Sequence, residues 1–228
     1  MLKCLLVAFA VTAVAQNNDG TDVLVFGGTG RLCAPIVRLL VDAGYTVTVF
    51  ARPTSSRNRL TGLDVVYVTG DLMDAGSVVE AVDGKRFRFV IDASARGVSR
   101  ERFYDTAMRN ILNAVNPDPV RQFILHGSVG AGDNMKKFPG VGFERMRDVM
   151  RAKGEAEMLL KNSGIAYAII RNGMVLPDGT PATGTVQLTE DDGILDAVTR
   201  LDLALLTMQC LDNPACMNKT FHAADDGP

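Results

Sequence analysis

From residue 22 onward the chain alternates short, wholly apolar runs with stretches of helical periodicity, and that alternation leaves few folds open. "TDVLVFG", "YTVTVFA", "LDVVYVTGD", "FRFVIDAS", "VRQFILHGS" and "IAYAIIRNG" read as strands. Strands apolar throughout are buried on both faces, and in a parallel sheet the cover on both faces is helical. Helices fit the intervals. Leu32, Ile36, Leu39, Leu40 and Ala43 recur at helical spacing before Gly44, and "SVVEAV" closes at Gly84. Phe103, Ala107, Ile111, Leu112 and Val115 follow an N-cap at Ser99 and stop before Pro117. Residues 143–162 form a long helix ended by Ser163-Gly164. The pattern predicts an α/β class: a doubly wound parallel sheet with right-handed crossovers.

The chain has 228 residues, 47% hydrophobic and 22% charged, enough for one domain of residues 21–228 with a sizeable core. From Pro177 the texture turns to Gly, Thr and Asp, then to a helix (201–211) and a last strand, "KTFHAA". Residues 177–228 are therefore expected as a small C-terminal lobe on the open, substrate side of the sheet. A formal net charge of −2 and the absence of Trp argue against a nucleic-acid partner. No His/Cys cluster has metal spacing, so no metal site is expected.

The first 15 residues differ from the rest. Lys3, an apolar run and Ala13-Val14-Ala15 read as a signal peptide cleaved after Ala15, which implies the secretory pathway or a periplasm. The run is too short to span a bilayer comfortably, so no membrane span is expected once the leader is removed. An uncleaved extension is the alternative, with a cytoplasmic or organellar protein. Cys210 and Cys216 are close enough to pair in an oxidising compartment, or stand as two thiols around a helix end. Monomer and homodimer both stay open.

The stretch "DVLVFGGTGRLCAP" carries the first chemistry. Gly27 and Gly30 follow the first strand directly and precede a helix start. Glycines there let backbone approach a pyrophosphate, and the helix N-terminus supplies free N–H groups with partial positive charge. Gly27, Thr29, Gly30, Arg31 and Leu32 are thus candidate cofactor contacts, against the plainer reading of a tight turn. Cys33 stands where a third glycine usually sits. The second strand ends in "VFARPTSSRNRL", with Arg52 where an NAD site places an acid. Guanidinium suits a 2′-phosphate, so the expected cofactor is NADP(H). Arg57 and Arg59 lie nearby, or are plain surface.

"VFGGTGRLCA", "VTVFARPTS", "VVYVTGDLMDAGSV", "FILHGSVGAGD", "KGEAEMLLKNSGIAYAIIRNG" and "LDLALLTMQCLDNPACMNKTFHAAD" together resemble the atypical short-chain dehydrogenases, the NmrA-like and biliverdin/flavin reductase-like group with a Rossmann-type NAD(P)H-binding domain. The resemblance covers nearly all of residues 22–225. It implies that Asp71 and Leu72 contact adenine, although Asp71 also suits a turn. It implies that Ala93 and Ser94 of "DAS" line the cofactor groove, and that Asn172 and Gly173 lie near the nicotinamide, where the family usually has "RPG".

Short-chain dehydrogenases commonly use Tyr-x-x-x-Lys with a Ser. Lys153 matches the Lys and Ser128 the Ser, but the Tyr position is Val149, and none of Tyr45, Tyr67, Tyr104 or Tyr167 replaces it at helical spacing. Lys153 alternatively pairs with Glu157 on the helix surface. Two functions remain. One is an NADPH-dependent reductase of a small conjugated acceptor (flavin, quinone or tetrapyrrole type) that works without the tyrosine, with Ser128 and Lys153 as its catalytic residues: Ser128 would orient the acceptor or relay a proton, and Lys153 would also bind the cofactor by holding the ribose. The other is a non-catalytic NADP(H) sensor of NmrA type. The glycine-rich loop 129–143 is expected to decide between them, since packing it onto the nicotinamide would exclude an acceptor. A sugar-nucleotide epimerase fits poorly, lacking the tyrosine. His126 reads as a satisfied strand histidine and His222 as part of the last strand.

Overall fold

The computed structural model describes residues 22–96, 102–140 and 142–225. The leader expected at 1–15 and the N-cap expected at Ser99 lie outside the described residues.

Eight strands form one sheet. In chain order the elements are β1 (Asp22–Phe26), α1 (Cys33–Asp42), β2 (Thr46–Ala51), β3 (Val66–Thr69), α2 (Ala75–Val82), β4 (Phe89–Asp92), α3 (Phe103–Ala114), β5 (Gln122–Ser128), α4 (Arg147–Lys161), β6 (Tyr167–Asn172), β7 (Met174–Val175), β8 (Val186–Thr189), β9 (Ala197–Val198), α5 (Arg200–Cys210) and β10 (Lys219–Asp225). The sheet order is β3-β2-β1-β4-β5-β6-β10-β8, and every neighbouring pair is parallel except β10 with β8. The reversal beside β1 is the topological switch of a doubly wound fold, and ligands of such sheets bind outside the carboxyl ends there. The Rossmann-type α/β architecture expected from the alternation is the one observed.

The apolar runs do what their composition requires. Val23 and Val25 face a core layer against α1 and α5, while Leu24 and Phe26 face a second layer against α2, α3 and α4. All four are fully buried. Several boundaries differ from the sequence reading. Helix α4 starts at Arg147, because a short 3₁₀ turn occupies Phe143–Met146. Helix α2 begins earlier than expected, at Ala75, because the Asp74 carboxylate accepts from the Gly76 and Ser77 amides. Of the residues expected as a C-terminal lobe, β8 and β10 extend the main sheet, and β9 pairs with β7 in a separate two-stranded ribbon.

Cys210 and Cys216 are joined by a disulfide with Cα atoms 5.6 Å apart, which closes the end of α5 onto the approach to β10. Buried Gln122 holds the same corner: its Nε2 donates to Cys210 O at 3.1 Å and its Oε1 accepts from the Asp212 amide at 2.8 Å. Among the described residues no helix is long and apolar enough to cross a membrane.

Candidate active site

A cavity of about 450 Å³ opens at the carboxyl ends of β1 to β6. At one end lies the glycine loop. Gly30 N donates to Gly27 O at 2.7 Å, closing the turn, and Gly27 holds φ +77°. A Cβ on Gly27 would lie 2.8 Å from Ser94 Cα, so only glycine lets the loop and the β4 terminus come this close. No side chain caps α1; Ala34 N donates to Gly30 O at 3.0 Å, Pro35 carries no N–H, and it is Gly30, Arg31 and Leu32, just before the helix, that line the cavity end. Cys33, packed behind the loop, donates its thiol to Phe26 O at 3.4 Å, and burial pushes its ionisation far up, so it serves as packing.

The middle of the wall is polar. Arg52 and Ser55 line it at the end of β2. Arg57 is turned away, with its guanidinium 4.1 Å over the Tyr67 ring, and Arg59 lines a separate surface pocket with Arg31, Arg38 and Arg200. Asp71 is held by Arg96, whose Nη2 donates to Oδ1 at 2.7 Å and to Oδ2 at 2.8 Å. Partial burial draws the Asp71 carboxyl upward, but the Met73 amide and the Arg96 guanidinium prevail and hold it below the usual range. Asn110 Nδ2 donates to Leu72 O at 2.8 Å and fixes the turn that brings Leu72 to the wall.

The far end gathers β4, β5, β6 and α4. Asp92 is buried, with its carboxyl raised to about 6 by desolvation against the opposing Ser94 amide bond of 2.8 Å. Lys153 Nζ donates to Ser128 Oγ at 2.6 Å and stands 4.6 Å from the centroid of the Tyr104 ring. Burial pushes the Lys153 ammonium down to about 8, opposed by the charges of Glu157 and Asp92. Glu157 is not the ion-pair partner of Lys153. It forms a two-point buried bridge to Arg171, with Nε–Oε1 at 3.1 Å and Nη2–Oε2 at 2.6 Å. His126 is satisfied on both sides, by Asn172 Oδ1 at 3.1 Å and Thr207 Oγ1 at 2.9 Å. Burial depresses it to about 4, so the ring is a neutral strut.

Of the residues named from sequence, Gly27, Thr29, Gly30, Arg31, Leu32, Arg52, Asp71, Leu72, Ala93, Ser94, Lys153 and Asn172 all line this cavity. Ser128 stands behind the wall, bonded to Lys153. Gly173 is off the wall, and packs so tightly on the Asp196 backbone that a Cβ would lie 2.1 Å from its oxygen. Sequence reading missed Phe50, Arg96, Phe103 and Arg200 on the wall, and Tyr104 beneath Lys153. Only tertiary folding brings these side chains in, so no spacing rule reveals them. Loop 129–143 sends no described residue to the cavity. It turns away: Gly130 N donates to Asn134 Oδ1 at 2.8 Å, Asn134 Nδ2 donates to Asp192 O at 2.8 Å, and Gly132 lies against Gly154 of α4.

Comparison with known proteins agrees with this geometry. The family profile described as NAD(P)H-binding matches residues 27–214. Among solved structures, ChuY, an anaerobilin reductase from Escherichia coli O157:H7, superposes with a TM-score of 0.78 at 23% identity, covering 90% of this chain and 98% of that one. A short-chain dehydrogenase/reductase from Veillonella parvula in complex with NADP gives 0.71 at 16% identity, covering 91% and 95%. The sanguinarine reductase of Eschscholzia californica is 23% identical over 91% of this chain and 90% of its own length. The glycine-bounded cavity at the switch point and the profile that spans it lead to one assignment: the chain belongs to the NAD(P)H-binding family, with a Rossmann-type fold.

Proposed function

We infer that the protein is an NADPH-dependent reductase of a small conjugated acceptor of the flavin, quinone or tetrapyrrole type. The observation that carries this reading over a non-catalytic sensor is the placement of loop 129–143. Its described residues are pinned to α4 and to Asp192, leaving the Lys153 end of the cavity free of them. The relatives named as reductases of anaerobilin and sanguinarine support an acceptor of this kind.

The residues present fit a dinucleotide. A Cβ would fill the cradle at Gly27, and one on Gly30 would lie 2.9 Å from Gly27 O, so backbone there is free to meet a pyrophosphate. Arg52 and Ser55 would hold a 2′-phosphate, and no acid stands at the end of β2 to repel it. The ion pair of Asp71 with Arg96 would border the adenine, and Asn172 with Lys153 the nicotinamide end. The bound cofactor supplies a hydride. The chain's part is to align the acceptor and to leave water out, a contribution positioning alone makes large. Lys153, donating to Ser128 Oγ behind it, presents its ammonium at that end.

The disulfide suits an oxidising compartment, which fits cleavage after Ala15 and export; mass analysis of the mature N-terminus, expected at Gln16, checks this. The function is tested on purified protein titrated with NADPH and NADH, followed by addition of flavin mononucleotide, menadione or biliverdin. Tighter NADPH binding with acceptor-dependent loss of nicotinamide fluorescence is expected. Tight binding with no turnover by any acceptor would move the assignment to a sensor.

A further inference from the structure

The place of the missing tyrosine is filled by Val149, which is 7% exposed and carries no proton. The groups around it form a different arrangement. Lys153 Nζ is on the cavity wall, one of its hydrogens goes to Ser128 Oγ, and the face of Tyr104 stands over it. No carboxylate forms an ion pair with Lys153 among the described residues, so its other hydrogens are not committed to a salt bridge. The Tyr104 hydroxyl is directed elsewhere: it donates to Arg96 O at 3.3 Å.

We propose that Lys153 is itself the proton donor of the reaction, aimed into the cavity by Ser128 and Tyr104. This rests on the reductase reading above. The acceptor takes two electrons with the hydride from the reduced nicotinamide, and a proton from Lys153. The Nζ–H bond breaks, its electron pair stays on nitrogen, and the neutral amine regains a proton from solvent before the next turnover. The charged and titratable groups facing Lys153 are Asp92 from β4, His126 from β5, Tyr104 from α3 and Glu157 from its own helix. Burial outweighs the two carboxylates and leaves the ammonium titrating near 8, where a lysine is both protonated at neutral pH and able to release its proton.

The test uses the full protein with NADPH and menadione in single-turnover measurements between pH 5.5 and 10. The wild-type rate is expected to fall as pH rises past about 8, as the acid is lost. Lys153→Arg keeps the cation but cannot release a proton in this range. At saturating NADPH it is expected to lose about 100-fold in rate, with the alkaline limb gone. Ser128→Ala removes an acceptor for the ammonium, so its limb should move to lower pH. A second readout needs no turnover: lysine side-chain NMR of the nucleotide-free protein should show one amine titrating well below the others, and that signal should be absent in Lys153→Arg. An ordinary lysine titration overturns the proposal. So does a Lys153→Arg variant with wild-type rate and limb, while leaving the reductase reading in place. A wild-type protein that binds NADPH but passes its hydride to none of the acceptors defeats both.

Discussion

At the residue scale, the glycine loop was legible because its requirement is a backbone one. Gly27 has a left-handed φ and a close neighbour in Ser94, and no other residue meets both demands. Gly27→Ala is expected to cost about 1–3 kcal/mol in urea unfolding and to abolish measurable NADPH binding by fluorescence titration. Arg52 was legible as a wall residue, since the end of β2 opens on the cavity. Arg52→Gln should weaken NADPH binding roughly 10- to 100-fold, the loss of one or two charge-assisted hydrogen bonds, and leave NADH binding nearly unchanged. Equal losses for both nucleotides would remove the 2′-phosphate role. Arg96 and Tyr104 were not legible. Arg96 follows β4 yet closes on Asp71, 25 residues earlier, and Tyr104 reaches Lys153 across the α3–α4 packing.

At the scale of elements, the parallel strands β1, β2, β4, β5 and β6 announced themselves because burial on both faces keeps their middles largely apolar, and β3, at the sheet edge, by its short apolar run. Strand β8 did not. It is a four-residue antiparallel edge strand, half-exposed, inside a run of Thr, Gly and Asp, so its pattern is weak. What holds α4 against β5 and β6 is equally invisible to periodicity. Glu157 and Arg171 form their bridge almost out of water, and Gly127 leaves room for it: a Cβ there would lie 2.8 Å from Glu157 Oε1. Arg171→Met leaves an uncompensated buried carboxylate and should cost about 3–5 kcal/mol in chemical denaturation, whereas replacing both partners by Met should recover most of that loss. The disulfide closes only a short loop, so reducing it should remove about 2 kcal/mol, read as a lower Tm in dithiothreitol.

At the scale of the whole molecule, two buried groups oppose each other in acid. Asp92 titrates near 6 in the folded chain against 3.8 for an ordinary aspartate, so the folded state binds the extra proton and stability falls as pH rises across that window. His126 titrates near 4 against 6.5, so the unfolded state binds the extra proton and stability rises with pH over nearly the same window. The two slopes largely cancel. Asp92→Asn removes one of them and still accepts from the Ser94 amide. It should stabilise the protein at pH 7 by about 2–3 kcal/mol and expose the His126 slope, about 1.4 kcal/mol per pH unit between 4.5 and 6, in urea midpoints. A variant as flat as the wild type would show that Asp92 is not strained. The same balance explains why a carboxylate that destabilises the fold is compatible with it: its negative charge supports the protonated form of Lys153 at neutral pH.

The meeting of Gly132 with Gly154 has a consequence beyond holding the loop. A Cβ on Gly154 would stand 2.4 Å from Gly132 Cα, so two stretches of main chain touch directly, with no side chain between them to act as a spring. Gly154 follows Lys153 in the helix. The contact therefore works as a mechanical stop for α4, setting the depth of the reactive amine by the thickness of bare polypeptide. Any residue larger than glycine at either point would act as a shim, displacing the amine from its partners. Catalytic tuning in such a chain would thus be accessible from a site that touches no ligand.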